Sequence, residues 1–421
     1  MRKTILQLTA LVAPVGVAML ITAGVQAAHV TLTANNELYP VVGNPLDLNL
    51  PFLMNELPDE YYDIARNPQD VPSEPLDDGA TITIFAYDHT SDVMPAMNPD
   101  DPPVTTVTAL APKNFGDTNC DDSQESGKPC WAGGGQDVIF EFFAFGGGQS
   151  VDAPLIPAPF LRVTAGNTFN INLVNRSTTL RHAIDFHAIV GKKGGAAVVA
   201  ADPGKASGPI KLTIQDPGLY IYHCVGEGTP HGIAHHMNNG MVGLILVEPG
   251  PDKDGQQFTS LTNNATEHYV MEFDIYRENG AGPRNFDEGK MIHSQSPDHV
   301  VYNGRVGALI DHPLVAVAGQ NAVIYHGVAG VHVASFHIIG EIFDWVFDLG
   351  DIISVPLRNI QTQTIPSAGA AVLIMDGNQL VPTDLSGGLG PDLNILVDHA
   401  SSQFRKGALG VMVVCPIAGV C

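Results

Sequence analysis

One stretch of the chain, Leu219 to Val247, gathers the residue types that bind soft and borderline metals. An aromatic and β-branched run ends in His223 and Cys224, a loop rich in Gly, Pro and His follows, and Met241 opens a second apolar run. The pattern predicts strand, loop, strand. Cys, His and Met on one loop suit a copper site in which two His and one Cys bind in a plane and a Met sulfur sits at longer range, an electron-transfer arrangement. The second His comes from upstream, in the run Leu180-Arg-His-Ala-Ile-Asp-Phe-His-Ala188.

Side chains alternate across a strand, so position parity predicts which groups share a face. If His182 to His187 is extended, Asp185 and His187 face one way and His182 the other. His223 and Cys224, being adjacent, also diverge. The economical arrangement sets His182, Cys224, a loop His and Met241 around one metal, with His187 and His223 on the opposite face and Asp185 nearby. The His223-Cys224 peptide then joins two metal sites and offers a short route for an electron. A metal held by His187 and His223 needs a third protein ligand if it is to be bound firmly while keeping a position open for substrate. The second half of the chain, or a neighbouring subunit, must provide it.

The elements that position these residues are strands. The chain has 421 residues with 44 Gly and 31 Pro, and only 15% are charged, against roughly 25% in ordinary soluble proteins. Such a chain is rich in turns and sheets. Residues 1–27 read as an export signal, with Arg2 and Lys3, an apolar run from Leu11 to Ala23 broken by Pro14 and Gly16, and small residues before a cleavage point after Ala27. A periplasmic or otherwise exported location follows, and no later stretch is long and apolar enough to span a bilayer. The formal charge of −24 argues against nucleic acid and for a basic protein partner. Spacing pairs Cys120 with Cys130 and Cys415 with Cys421 as disulfides in that oxidising setting, leaving Cys224 to the ligand loop.

Residues 28–78 read as an extended arm. A first domain follows over 79–250, interrupted by a polar insertion at 88–136, with strands at Ala80 to Ala86, Asp137 to Phe143, Phe160 to Val163 and Thr168 to Val174. Residues 251–267 read as a polar linker. A second domain over 268–421 has strands at Tyr269 to Tyr276, Val315 to Val317, Ala322 to Tyr325, Ala370 to Ile374, Leu393 to Val397 and Ala408 to Val414. Short strands between turn residues predict two consecutive β-sandwiches.

The runs His182-Ala-Ile-Asp-Phe-His187, Gly191-Lys-Lys-Gly-Gly195, Pro217-Gly-Leu-Tyr-Ile-Tyr-His-Cys224 and Gly240-Met-Val-Gly-Leu-Ile-Leu-Val-Glu-Pro249 closely resemble the copper-containing nitrite reductases. Val301-Tyr-Asn-Gly-Arg-Val-Gly-Ala-Leu309, Phe336-His-Ile-Ile-Gly340 and Asp398-His399 continue the resemblance, more sparsely. It implies an all-β chain of two cupredoxin-like Greek-key domains that assembles as a homotrimer and reduces nitrite to nitric oxide. A small donor protein, a cupredoxin or cytochrome c, would supply electrons. Residue by residue, His182, Cys224, His236 and Met241 match the type 1 copper ligands, and His187, His223 and His399 the type 2 ligands, His399 coming from the adjacent subunit. Asp185 and His337 match the pair that handles protons, and Ile339 matches the apolar residue shaping the nitrite pocket. Two coppers per subunit follow.

Departures from that family are visible. Eleven residues separate Cys224 from His236, a long loop holding His231 and His235 as competing ligands. His236 is preferred because the four residues between it and Met241 match the family spacing. The arm and the insertion have no recognised counterpart, and the segment from Asp344 to Gly390 is divergent, which bears on the pocket wall. His29, His89, His268, His293, His299, His312, His326 and His332 read as surface or structural. A laccase-like multicopper oxidase would carry paired His-x-His motifs and a His-Cys-His run, but Val225 follows Cys224. A copper electron carrier without catalysis would have no use for His187, His223, Asp185, His337 and His399.

Overall fold

Strands form where apolar residues alternate or run continuously between Gly, Pro and Asn turns. The computed structural model describes residues 71–87, 142–150, 154–177, 179–190, 197–226, 232–251, 254–278, 286–304, 308–383 and 394–416. The first set of strands is β1 (Thr81–Tyr87), β2 (Ala144–Gly147), β3 (Leu161–Thr164), β4 (Thr168–Asn175), β5 (His182–Phe186), β6 (Val199–Ala201), β7 (Ile210–Thr213), β8 (Gly218–Cys224) and β9 (Val242–Glu248). The second is β10 (Thr266–Ile275), β11 (His299–Tyr302), β12 (Leu314–Val317), β13 (Ala322–Val328), β14 (Ala334–Ile339), β15 (Phe343–Phe347), β16 (Leu357–Ile360), β17 (Thr362–Ile365), β18 (Ala370–Met375), β19 (Asn394–Asp398) and β20 (Leu409–Cys415).

The same wiring occurs twice. Sheets ordered β2-β1-β4-β7 and β3-β9-β8-β5-β6 make the first sandwich, and sheets ordered β11-β10-β13-β18-β15-β16 and β12-β20-β19-β14-β17 make the second. In each, the first long strand lies parallel to a later one, β1 to β4 and β10 to β13, and the last strand runs parallel to an early one, β9 to β3 and β20 to β12. Neighbours distant in sequence, with antiparallel pairs elsewhere, are the mark of Greek-key sandwiches.

Alternation also explains the continuous apolar runs of β8, β9 and β10. Tyr222, Ile245 and Val247 fill the core of the first sandwich, while their neighbours Ile221, Leu244 and Leu246 join Tyr269, Met271 and Phe273 in a layer between the sandwiches. Val270, one residue from both Tyr269 and Met271, faces the core of the second. These strands are apolar on both faces because both faces are covered. Arg162, 8% exposed, adds a polar tie at the junction, paired with Glu248 of β9 at 2.6 Å and Glu267 of β10 at 2.8 Å, and bonded to the Pro72 carbonyl at 2.9 Å.

Several local expectations shift. The strand expected at 137–143 falls at Ala144–Gly147, where Gly146 and Gly147 lie against β1; residues 137–141 lie outside the described residues. The polar stretch 251–267 holds a helix, Gln256–Thr262, and β10 begins at Thr266. The ligand loop is not all loop: Gly232–Asn238 is helical. The export signal, most of the arm, the insertion with Cys120 and Cys130, and Cys421 lie outside the described residues. Cys415 is disulfide-bonded. No helix among the described residues is long and apolar enough to cross a membrane.

Candidate metal centre

Cys224 ends β8 and faces the core of the first sandwich. Register sets Ile184 opposite it on β5, so His182, two residues before Ile184, reaches the same interior face. The helix Gly232–Asn238 then brings His236 down from above. The three side chains converge: Cys224 Sγ lies 3.5 Å from His182 Nδ1 and 3.4 Å from His236 Nδ1, and the two Nδ1 atoms are 3.2 Å apart. With metal bonds of about 2.0 Å to imidazole nitrogen and 2.3 Å to thiolate sulfur, such spacings correspond to bond angles of roughly 100–110°. One cation therefore fits among them, and two imidazoles with a thiolate are the donor set copper takes.

The surroundings favour the thiolate. Burial raises the Cys224 pKa, but hydrogen bonds to His182 and His236 and their charge outweigh it and bring it to about 6. The backbone N–H groups of Ala183 and Gly226 both donate to Sγ, at 3.4 and 3.5 Å. Gly226 has φ +57, and a Cβ there would meet the Gly232 carbonyl at 2.6 Å and His236 Cδ2 at 2.7 Å, so glycine lets the loop fold over the site without pressing on either. Met241 is fully buried in the same core, its N–H donating to the His236 carbonyl and its carbonyl accepting from the Cys224 N–H. Phe143 packs its ring against both His182 and His236, with centroids 6.0 and 5.5 Å away. Sequence reasoning missed Phe143 and the helix; an aromatic just before a glycine strand carries no signature of its own.

His235, a competitor in the loop, turns elsewhere. Its ring stacks edge-on to Phe286 and its Nδ1 lies 3.9 Å from Glu288, in the second half of the chain. His231 lies outside the described residues.

The opposite face of the same two strands carries the second cluster. Asp185 pairs directly with His223 across the β5–β8 ladder, and the ligand atoms of Asp185, His187 and His223 lie within 4.8 Å of one another. His223 Nδ1 donates to the Cys224 carbonyl at 3.1 Å, which leaves the lone pair on Nε2. That Nε2 faces His187 Nε2 at 3.0 Å, the separation expected of two imidazoles sharing a cation at about 2.0 Å. Burial lowers the His223 pKa, which keeps the ring neutral and able to bind metal. His187 is exposed and Asp185 half-buried, so this cluster opens to the surface.

His337 and His399 sit together in the second sandwich, ring centroids 5.1 Å apart. His337 lies on β14, buried, with Nδ1 donating to the Gln361 carbonyl at 2.7 Å. His399 follows β19 on an exposed turn. Ile339, two residues beyond His337 on β14, is 48% exposed. Among the described residues, the cluster gathered around His187 and His223 does not include His399.

No family model matches the chain. In sequence it is 38% identical over 267 residues to the copper-containing nitrite reductase of Neisseria meningitidis serogroup A, a match spanning 62% of each chain. It is 33% identical over 230 residues to that of Alcaligenes faecalis, spanning 51% of this chain and 60% of the relative. The matched region is thus less than two thirds of these relatives' length. Among solved structures, the copper nitrite reductase of Nitrosomonas europaea superposes with a TM-score of 0.53 at 21% identity, covering 80% of this chain and 94% of that one. A multicopper oxidase superposes with a TM-score of 0.52 at 16% identity, covering 85% and 100%. Those identities establish the fold, two cupredoxin-like sandwiches, and leave the chemistry to the residues. In sequence, and in the donor sets its strands bring together, the chain is similar to the copper-containing nitrite reductases.

Proposed function

We propose that the protein is a nitrite reductase, converting nitrite to nitric oxide and water with one electron and two protons. Nitrogen is reduced by one electron, one N–O bond breaks, and the oxygen leaves as water. The observation that carries this reading is the adjacency of His223 and Cys224, neighbours on β8 that face opposite ways into two separate donor clusters. Copper bound by His182, Cys224, His236 and Met241 (type 1) would supply the electron, and copper bound by His187, His223 and His399 (type 2) would act as Lewis acid toward nitrite.

The chain's own groups account for the rest. The Cys224-His223 peptide is the electron's route between clusters. Asp185, beside His187 and His223, holds protons at the open face through a bound water, and His337 gives and takes a proton at Nε2, its Nδ1 being committed to Gln361. Ile339 presents an exposed apolar side chain that narrows the pocket.

His399 reaches the type 2 cluster from the adjacent subunit of a homotrimer, and His337, packed against it, comes with it. Ile342, Leu349, Val355 and Leu357 in the second half of the chain are exposed apolar side chains of the kind a subunit contact would cover. The donor is a small cupredoxin or cytochrome c with a basic face, matched to a chain of charge −24, and the protein works after export, in the periplasm. The test is anaerobic turnover of copper-loaded protein with a reduced donor, following nitrite loss and nitric oxide release. Nitric oxide in equal amount to nitrite consumed supports the reading; copper-loaded protein that leaves nitrite untouched overturns it.

A further inference from the structure

The second sandwich keeps the scaffold of the Cys224 site with a carboxylate in the thiolate's place. On β5 and β8, Ile184 pairs with Cys224; on β14 and β19, Phe336 pairs with Asp398. The Cys224 N–H donates to the Met241 carbonyl and the Met241 N–H to the His236 carbonyl; the Asp398 N–H donates to Ala408 and the Ala408 N–H to Gln403. Cys224 Sγ accepts from the N–H groups of Ala183 and Gly226; Asp398 Oδ1 accepts from those of Ser335, at 3.2 Å, and Ala400, at 2.7 Å. The next residue is clamped alike, Val225 N–H to the Ala183 carbonyl at 2.8 Å and His399 N–H to the Ser335 carbonyl at 2.8 Å. Every backbone bond around the thiolate thus has a counterpart around Asp398. The residue presented just past it is His399.

Ala334 stands where His182 stands, Gln403 where His236 stands, and Ala408 where Met241 stands, so this copy has no soft donors. Its partner is instead Glu272 of β10, 2% exposed, whose carboxyl faces that of Asp398. Glu272 Oε2 and Asp398 Oδ2 meet no nitrogen or hydroxyl donor among the described residues. Two buried carboxyls so placed satisfy each other only when one donates to the other.

We infer that the Glu272–Asp398 pair is a positioning device for His399: a second-domain copy of the thiolate cradle, re-used to fix the turn that presents a metal-ligating imidazole to the neighbouring subunit. This rests on the reading of His399 as a ligand. An imidazole reaching across a subunit boundary gains affinity when its backbone is fixed beforehand, because less conformational entropy is lost on binding. Asp398 does this from one side through two N–H bonds, and Glu272 fixes Asp398 from the other.

The experiment measures copper affinity at the type 2 site by chelator competition on the assembled protein, with the visible colour of the Cys224 site as an internal control. Asp398→Ala should weaken type 2 copper binding by roughly 10–100-fold, the usual cost of a lost outer partner, with the colour unchanged. Asp398→Asn keeps the oxygen that accepts from Ser335 and Ala400 and should restore affinity to within about threefold of wild type, a rescue that general loosening of the fold does not predict. Should Asp398→Ala fail to yield coloured trimer, Glu272→Leu carries the same expectation and Glu272→Gln the same rescue. Wild-type type 2 affinity in coloured Asp398→Ala or Glu272→Leu protein overturns the inference. His399→Ala separates the two readings, because unchanged type 2 copper there removes His399 as a ligand whatever the pair does.

Discussion

His337 occupies in the second sandwich the position that Asp185 occupies in the first. Asp185 pairs with His223, the residue before Cys224, and His337 pairs with Val397, the residue before Asp398. Two residues further along each chain come His187 and Ile339. One face of a repeated strand pair therefore supplies a ligand and a carboxylate in one copy, and an imidazole and an apolar wall in the other. On the proposed function, a trimer that set these two faces against each other would surround the substrate with both.

If Asp185 and His337 handle protons and do not bind copper, their removal should separate chemistry from metal content. Asp185→Asn and His337→Ala are each expected to slow nitrite turnover by about 10²–10⁴-fold, the usual effect of losing an acid–base group. Copper content and visible spectrum should be unchanged. Equal turnover in both variants, with copper retained, would show that the protons arrive by another route.

Cys224→Ser should abolish the intense visible colour of a thiolate–copper bond and stop turnover while copper stays bound at His187 and His223. Gly226→Ala is a finer probe. At φ +57 an added Cβ costs about 1–2 kcal/mol and presses on the ring of His236, so the absorption band should shift and the melting temperature fall, with copper still bound. An unshifted band in Gly226→Ala would mean that His236 is not a ligand.

Assembly should be required for the second copper but not the first. The paired change Val355→Asp and Leu357→Asp puts charge on exposed apolar positions, 83% and 47% accessible in the single chain. Light scattering should then report monomer, with the colour of the first site intact and the copper at His187 and His223 bound more weakly by at least tenfold. A fully active monomer would exclude a site shared between subunits.

Much of this is legible in the sequence, and the reason is parity. His182 and Cys224 against Asp185 and His223 follow from alternation on two strands, and the ladder that pairs Ile184 with Cys224 puts each on its expected face. Positions that depend on loops were not legible. His236 is chosen over His235 from its spacing to Met241, but the helix Gly232–Asn238 that carries it has Gly, His and Asn content that gives no helical signal. The Gln361 carbonyl that orients His337 comes from backbone just before β17, where side-chain identity carries no information. The likeness of Asp398 to Cys224 was hidden for the same reason, since it lies in backbone hydrogen bonds.

His326 makes the stability of the fold depend on pH. Its ring lies in the core of the second sandwich, fully buried, against Phe336 at 4.2 Å and Tyr302 at 6.0 Å between centroids. Neither ring nitrogen meets a hydrogen-bond partner among the described residues. Burial lowers its pKa from 6.5 to about 3, so the folded protein holds it neutral while the unfolded chain protonates it near 6.5. The sign follows from proton binding: below pH 6.5 the unfolded state carries a proton that the folded state lacks, so stability is present above that pH and lost as pH falls toward 3. At pH 5 the loss is about 2 kcal/mol, from 1.4 kcal/mol for each of the one and a half pH units below 6.5. His326→Phe removes the titration without removing a hydrogen bond. Any packing difference of the larger ring is the same at every pH and cancels on comparison. Chemical denaturation should therefore show the variant gaining about 2 kcal/mol on the wild type between pH 8 and pH 5. A gap that stays constant would mean that His326 keeps its proton inside the fold, through a bound water or a partner that burial alone does not supply.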